Sequence, residues 1–496
     1  MKERSIMKET EKQKIKRQTE QKSKSRISTK NKEFSVITYI FIAMFLGIML
    51  YMVYFQVFRS EDFINSPYNR RQDSFAEHVI RGEIRSADGK TLARTVTDSS
   101  GNESREYPYG NLYAHVVGFS THGKSGIESF MNFNLLRSHS FVGKRVINDL
   151  TDEKSQGDSV VTTLDSTLQN AAYQALGGYD GAVIVMEPAT GRILAMVSKP
   201  DFNPNTIAAD WDSIIAENAG NTSLLNRATQ GLYPPGSTFK ILTTLAYIRE
   251  NPDYAQYQYT CNGSYTQDDT TIHCYNHAVH GQQSLAESFA NSCNASYANL
   301  GLTVDTESLR KVCDDMMFGT YLPISLESSQ SSFVLDSADS DGMKIQTVIG
   351  QGETLVTPLN MLLIVSGIAN DGVVMTPYLI DHTENDAGIT VKQYKASTYK
   401  QIMTAEESDV LEALMAQVVT DGTASRLSGQ SYTAYGKTGS AEFSNNKGES
   451  HSWFVGYAHR EDKEDIAVVV IAERGGAGSS VAVPAARQIF DAYYGQ

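Results

Sequence analysis

The sequence predicts an α+β fold carried on a single transmembrane helix: a small mixed domain, then a larger domain whose antiparallel sheet is flanked by helices and carries a helical subdomain. Three observations predict this. The 25-residue run from Phe34 to Phe58 has no charged side chain. The composition changes at Val160, after a polar stretch. Beyond that point, strand-like apolar runs lie at both ends of the segment with helical patterns between them, the order expected of α+β domains.

The first 33 residues hold twelve Lys/Arg and five Glu. This polar, basic tail is predicted to be disordered. Residues 34–58, if helical, would span roughly 37 Å, enough to cross a bilayer with some tilt. Basic residues just before the span place the N-terminus in the cytoplasm and everything after Arg59 outside it. The apolar run is too long for a signal peptide, and no small-residue cleavage site follows it. The rest of the chain carries 31 basic against 52 acidic residues. So acidic a body excludes nucleic acid as the main partner, because phosphate binding needs a basic surface.

Residues 59–151 are predicted to form the small mixed domain. Its strand-like runs include His78–Arg85 and Leu112–Phe119, and a helical pattern covers Ile127–Leu136. Residues 152–159 are polar and predicted to be a linker. In the domain spanning 160–496, VVTTLD from Val160 is a strand end and Ser166–Leu176 a helix. GAVIVME and RILAMVS, joined by the turn Pro188–Gly191, predict a hairpin of adjacent antiparallel strands. Thr404–Val419 is a helix opened by a capping box of Thr404 and Glu407, with Val410, Leu411, Leu414, Met415 and Val418 on one face. His451–Tyr457 and Ile466–Ile471 are strands, and Pro484–Tyr494 is a final helix. Trp453 is assigned to the core.

The pattern Ser-x-x-Lys occurs five times, at Ser5, Ser237, Ser308, Ser397 and Ser444. Only Ser237 follows a turn, Tyr233-Pro234-Pro235-Gly236, and opens an apolar helix, STFKILTTLAYI. A serine at a helix start lies beside backbone N–H groups and the positive end of the helix dipole, a setting suited to a developing oxyanion. Lys240 stands one turn on, roughly 5–6 Å away at Cβ. An ordinary lysine is protonated at neutral pH, so only a packed, partly dry pocket could make Lys240 a base. Taken alone, the pair would be a solvated helix start. It is followed, however, by Ser292-Cys293-Asn294 and then by Lys437-Thr438-Gly439. These stand apart from Ser100-Gly101-Asn102, Ser444-Asn445-Asn446 and Lys124-Ser125-Gly126 by order, spacing and setting.

Together SxxK, SxN and KTG resemble the signature of the penicillin-recognising serine acyltransferases. YPPGSTFK, NSCNASYANLG, IGQGETLVTPL and AYGKTGSAE each look like that family's local sequence, and the likeness covers about Val160 to the C-terminus. RGEIRSADGKTLA at 81–93 and Gly126-Ile127-Glu128 resemble the non-catalytic pedestal of class B penicillin-binding proteins. The resemblance implies a peptidoglycan D,D-transpeptidase, inhibited by β-lactams, that cross-links stem peptides through an acyl-enzyme. It assigns the nucleophile to Ser237, proton acceptance to Lys240 and proton relay toward the leaving D-Ala to Ser292. Asn294 would hold the bound peptide and orient Lys240, and Lys437 would supply positive potential near Ser292. Thr438, and with it Ser440, would hold the terminal carboxylate, while Gly439 would let the strand lie close to substrate. The oxyanion hole would be the backbone N–H groups of Ser237 and Ser440. The implied chemistry needs no cofactor and no metal. A polytopic glycan polymerase, with divisome or elongasome proteins, is the implied partner at the membrane helix and pedestal.

Two other functions stand beside this one. STFK also resembles class D β-lactamases and β-lactam sensors, although those carry a hydrophobic residue where Asn294 stands here. A non-catalytic scaffold is the third, opposed by the intact Ser237, Lys240, Ser292 and Lys437. Two further features compete for attention. Gly118–Ser125 (GFSTHGKS) formally matches the phosphate-binding pattern GxxxxGK[ST], but it lies beyond the membrane span and is assigned to a turn. Cys261, His273, Cys274, His277 and His280 cluster within twenty residues. Zinc is one reading, but C-x11-H-C-x2-H-x2-H is not a standard ligand spacing. A Cys261–Cys274 disulfide suits the compartment better, and Cys293 is assigned to packing.

Overall fold

The architecture is that of a computed structural model, which describes residues 2–56, 78–151, 153–216, 220–442 and 449–495. The chain divides into two units, residues 1–69 and 70–496.

Within the first unit a single helix runs Lys2–Tyr54 and contains the apolar stretch Phe34–Tyr54, with a mean hydropathy of 2.4. Val57 and Phe58, included in the expected span, lie outside the described residues. The basic tail is helical rather than disordered. Its Lys, Arg, Glu and Gln are good helix formers, and neither Pro nor Gly interrupts it before Gly47.

In the second unit, a five-stranded antiparallel sheet forms the centre of the larger domain. Its strands are ordered Thr433–Glu442, Ser450–Arg460, Lys463–Ala472, Gly181–Met186 and Ile193–Lys199. Val468, Val469, Val470 and Ile471 are all buried, so both faces of this sheet are covered. Pro358–Ile368, buried along its whole length, packs on one face. Ser166–Leu176, capped by Asp165, and Ala482–Tyr494 pair across the other. The expected hairpin, both later strands, the terminal helix and the capping box at Thr404 and Glu407 are all present. The helical subdomain contributes Lys240–Glu250, Leu285–Ala290, Asn294–Thr303 and Thr306–Asp315.

Two sequence expectations give way in the smaller domain. Leu112–Phe119 is not a strand but a helical turn, Gly110–Tyr113 running into Ala114–Val117. Ala114, His115, Val116 and Val117 are all buried, and a short run buried on every side has no alternation to mark it as strand or helix. Residues 152–159 are not a free linker either, although Asp152 lies outside the described residues. Ser155–Gln156 pairs with Val79–Ile80, and Ser159–Thr162 lies in a six-stranded sheet. That sheet joins Ile84–Arg85 of the pedestal, through Ser159–Thr162, to Ile380–Glu384 of the larger domain, so the two parts share backbone hydrogen bonds. The GxxxxGK[ST] look-alike forms the connection between Ala114–Val117 and the five-residue helix Gly126–Phe130.

A buried ionic cluster lies within the pedestal's otherwise hydrophobic core. Glu128 is fully buried and accepts from Arg81 Nε at 2.6 Å and Arg105 Nε at 2.7 Å, while Arg81 also reaches the Glu128 carbonyl at 2.7 Å. Burial alone would raise the Glu128 carboxyl, but Arg105 and Arg81 together bring it below the usual carboxylate range. This triad explains why RGEIR and GIE occur together in one sequence.

Candidate active site

Ser237 sits in the 3-10 turn Gly236–Phe239, which runs straight into the helix Lys240–Glu250. The turn is held against the central sheet from several sides. Trp453 Nε1 donates to Pro234 O at 3.2 Å, and Tyr233 exchanges backbone bonds of 3.1 and 2.8 Å with Val356. Gly236 has a φ of +54°, a conformation costly for any residue with a side chain, and its N–H donates to Gly350 O at 2.9 Å. A Cβ on Gly350 would lie 1.9 Å from Gly236 O, so IGQGETLVTPL and YPPGSTFK are two halves of one packed support.

One turn on, Lys240 is completely buried. Its Nζ donates to Ser292 O at 2.8 Å, to Asn294 Oδ1 at 2.7 Å and to Ser292 Oγ at 3.2 Å. Lys437, also completely buried, donates to the same Ser292 Oγ at 2.9 Å and to Thr438 O at 3.1 Å. Two amines therefore converge on one hydroxyl, and neither forms an ion pair with a carboxylate among the described residues. Burial pushes Lys240 down from 10.5 to about 7, against an opposing pull from Cys293 and Cys274. Burial, reinforced by the nearby Lys240 amine, also holds Lys437 well below its ordinary range. The Tyr297 ring lies 5.1 Å from Lys240 Nζ and the Phe289 ring 5.6 Å from Lys437 Nζ, so aromatic faces take the place of water around both.

Ser292 occupies the bend between Leu285–Ala290 and Asn294–Thr303 with a φ of +54°. For a residue with a Cβ this left-handed conformation costs about 1–2 kcal/mol. Backbone bonds from Ser292 N to Phe289 O and from Cys293 N to Ser288 O hold it there. The strain places the hydroxyl between the two amines. Asn294 is fixed from its other end, since its Nδ2 donates to His273 O at 2.9 Å.

On the outer strand Thr433–Glu442, Thr438 Oγ1 lies 2.6 Å from Thr423 Oγ1, and Ser440 Oγ accepts from Gly478 N at 3.2 Å. Gly439 has a role the sequence did not suggest. A Cβ there would come within 3.1 Å of Pro235 O and 3.0 Å of Thr238 Cγ2. Its missing side chain thus lets the strand approach the turn bearing Ser237, whereas the expectation had placed substrate there. The elements carrying Ser237, Lys240, Ser292, Asn294, Lys437, Thr438, Gly439 and Ser440 all meet here. Among the decoys, Ser308 lies within the helix Thr306–Asp315, Ser397 donates to Thr376 Oγ1, and Ser444 lies outside the described residues. Sequence reasoning missed Phe289 and Tyr297, each three residues from the Ser292-Cys293-Asn294 triplet, and Thr423, whose contact with Thr438 spans 15 residues.

The expected Cys261–Cys274 disulfide is not formed. All four cysteines are free, and the Cys261 and Cys274 sulfurs stand 3.7 Å apart. Cys293, assigned to packing, turns toward Cys274 at the same separation.

Comparison with known proteins identifies the family. A family model described as "Penicillin binding protein transpeptidase domain" matches residues 181–491, and one described as "Penicillin binding protein A dimerisation domain" matches residues 81–160. Peptidoglycan D,D-transpeptidase PbpA of Mycolicibacterium smegmatis is 31% identical over 467 residues, covering 87% of this chain and 92% of that protein. Stage V sporulation protein D of Bacillus subtilis is 29% identical, covering 77% of this chain and 62% of that protein. Penicillin-binding protein A from M. tuberculosis, solved as a penicillin G acyl-enzyme complex, superposes with a TM-score of 0.74 at 27% identity, covering 84% of this chain and 99% of that one. A D,D-transpeptidase domain from Eggerthella lenta gives a TM-score of 0.74 at 30% identity, covering 84% and 98%. With the transpeptidase model spanning well over half its length, this chain belongs to the penicillin-binding proteins.

Proposed function

We propose that this chain is a membrane-anchored peptidoglycan D,D-transpeptidase in which Ser237 carries the acyl group. The observation that carries this reading is the convergence of two fully buried amines, Lys240 and Lys437, on Ser292 Oγ at 3.2 and 2.9 Å. An amine lowered to about 7 is available at neutral pH as a free base. Ser237 Oγ attacks the carbonyl carbon of the D-Ala–D-Ala bond while neutral Lys240 takes its proton. The carbonyl oxygen becomes an oxyanion facing the N–H groups of Ser237 and Ser440. Losing one such donor costs about 2.7–4 kcal/mol in comparable sites.

Collapse of this intermediate breaks the C–N bond, and a proton relayed through Ser292 Oγ reaches the leaving amine. An ester on Ser237 remains. An acceptor amine attacks it, the amide forms, and the proton returns to Ser237. Asn294 and Thr438 hold the peptide and its carboxylate beside the outer strand. A β-lactam acylates the same serine but keeps its leaving group attached.

The apolar stretch Phe34–Tyr54 anchors the chain. The basic tail before it supports a catalytic domain outside the cytoplasm, with a polytopic glycan polymerase as the partner that supplies strands to cross-link. The test is a synthetic peptide ending in D-Ala-D-Ala, incubated with an amine acceptor and the full chain in detergent. Release of D-Ala with transfer of the peptide to the acceptor supports the reading. Rapid turnover of β-lactam with no transfer product would support the β-lactamase alternative instead.

A further inference from the structure

Three sulfurs and one imidazole nitrogen meet directly behind the Ser292-Cys293-Asn294 triplet. Cys261, Cys274 and Cys293 are buried and His280 half-buried, and their ligand atoms all lie within 4.8 Å of one another. Cys261 Sγ is 3.7 Å from Cys274 Sγ and 3.4 Å from His280 Nδ1, and Cys274 Sγ is 3.7 Å from Cys293 Sγ. A disulfide would bring one pair to about 2.05 Å. A tetrahedral zinc ion, with bonds of about 2.3 Å to sulfur and 2.0–2.1 Å to nitrogen, sets sulfurs about 3.75 Å apart and sulfur and nitrogen about 3.5 Å apart. The observed separations match the second arrangement.

The surroundings also suit thiolates. Gly263 N donates to Cys261 Sγ at 3.4 Å and Ser296 N to Cys293 Sγ at 3.4 Å. Two of the three sulfurs therefore accept a backbone hydrogen bond. His273 and His277, grouped with these residues by sequence, are exposed, and their rings meet edge-on with centroids 4.6 Å apart. The spacing misled because Cys293, the fourth ligand, comes from the other side of a helix.

We propose that Cys261, Cys274, His280 and Cys293 bind one zinc ion, which positions the SxN triplet for catalysis. The four ligands come from three separate pieces of chain. Cys261 ends the strand Gln258–Cys261, Cys274 and His280 flank the loop after Thr270–His273, and Cys293 caps the helix Asn294–Thr303. Only this last piece carries catalytic groups. The ion ties the two small hairpins of 258–284 to the residue between Ser292 and Asn294. The same hairpins already hold Asn294 through the His273 carbonyl. A closed set of four protein ligands leaves no open position, so the ion is structural and the cysteines are positioning residues. Binding releases thiol protons to water and involves no change of oxidation state.

The test uses the full chain in detergent. Elemental analysis is expected to find one zinc per chain. After removal of zinc by a chelator, cobalt(II) is expected to restore one equivalent with an intense sulfur-to-cobalt charge-transfer band. His280→Gln is expected to weaken metal binding at least about tenfold while the protein stays folded, an effect typical of a perturbed ligand shell. Cys313→Ser, which removes the buried cysteine outside the cluster, is expected to retain one equivalent. Penicillin labelling is expected to fall about tenfold on chelation and return with one equivalent of zinc. Substoichiometric metal with no cobalt–thiolate band, or a Cys261–Cys274 disulfide in peptide maps, would overturn the proposal. The labelling readout rests on the acyl-transfer reading, whereas the metal count does not. Metal bound to a chain that never labels would therefore sink that reading and leave the zinc site standing.

Discussion

Lys240 gives the mechanism a pH dependence whose size follows from its burial. Its amine titrates at about 7 in the folded protein. Only the neutral amine accepts the Ser237 proton, so the acylation rate should follow the neutral fraction. That fraction is about 0.09 at pH 6 and about 0.91 at pH 8, an expected rise of about tenfold. The assay is the second-order rate of labelling by a fluorescent β-lactam whose own groups do not titrate between pH 5.5 and 9. The same burial acts on stability. A fall from 10.5 to about 7 corresponds to about 5 kcal/mol against the folded state wherever the amine must be charged. Between those values the unfolded chain binds the extra proton, so stability rises with pH across this window. Below pH 7 the full cost is present, and above 10.5 it vanishes. Relative to Lys240→Met, which carries no titrating amine, the wild type should gain about 2 kcal/mol between pH 7 and 9 in denaturant unfolding. The variant itself should label very slowly at every pH. A rate that stays flat from pH 5.5 to 9, or that falls as pH rises through 7, would refute the assignment of Lys240 as the base.

Removing the buried carboxylate of the pedestal by Glu128→Gln leaves Arg81 and Arg105 facing each other without compensation. It should cost about 3–5 kcal/mol in denaturant unfolding while the labelling rate of the folded fraction stays unchanged. Gly439→Ala forces a methyl against Pro235 O and Thr238 Cγ2 and displaces the turn that carries Ser237. The neighbours must give by a few tenths of an ångström, short of the ~1 Å that costs about 100-fold, so acylation should fall by less than about 100-fold, with little change in thermal stability. Ser292→Ala keeps the left-handed bend but removes the hydroxyl shared by Lys240 and Lys437. It should slow both acylation and peptide transfer by about 10²–10⁴-fold, seen in single-turnover assays.

Much of the larger domain was legible because its signals are local. Asp165 before Ser166–Leu176, the hairpin around Pro188–Gly191 and the capping box at Thr404 each announce an element within a few residues. The proposed nucleophile was singled out for the same reason, since only Ser237 combines a Pro-Gly turn with an apolar helix. What stayed hidden depends on contacts between distant segments. Nothing near Leu112–Phe119 signals that it is buried on all sides, and nothing in the polar 152–159 segment signals that Ile380–Glu384 will pair beside it. The reason for Gly439 became visible only once the Ser237 turn was seen packed on its strand. Compartment and spacing favoured pairing Cys261 with Cys274 over zinc, because Cys293 reaches the cluster from the start of the helix Asn294–Thr303.

Peptide-level mass spectrometry after brief exposure to a β-lactam tests most directly whether the hydroxyl at position 237 is the reacting atom. One β-lactam mass should be found on the peptide containing Ser237 and be lost in the folded Ser237→Ala protein. An adduct on any other residue, or full labelling that persists in the variant, would contradict it.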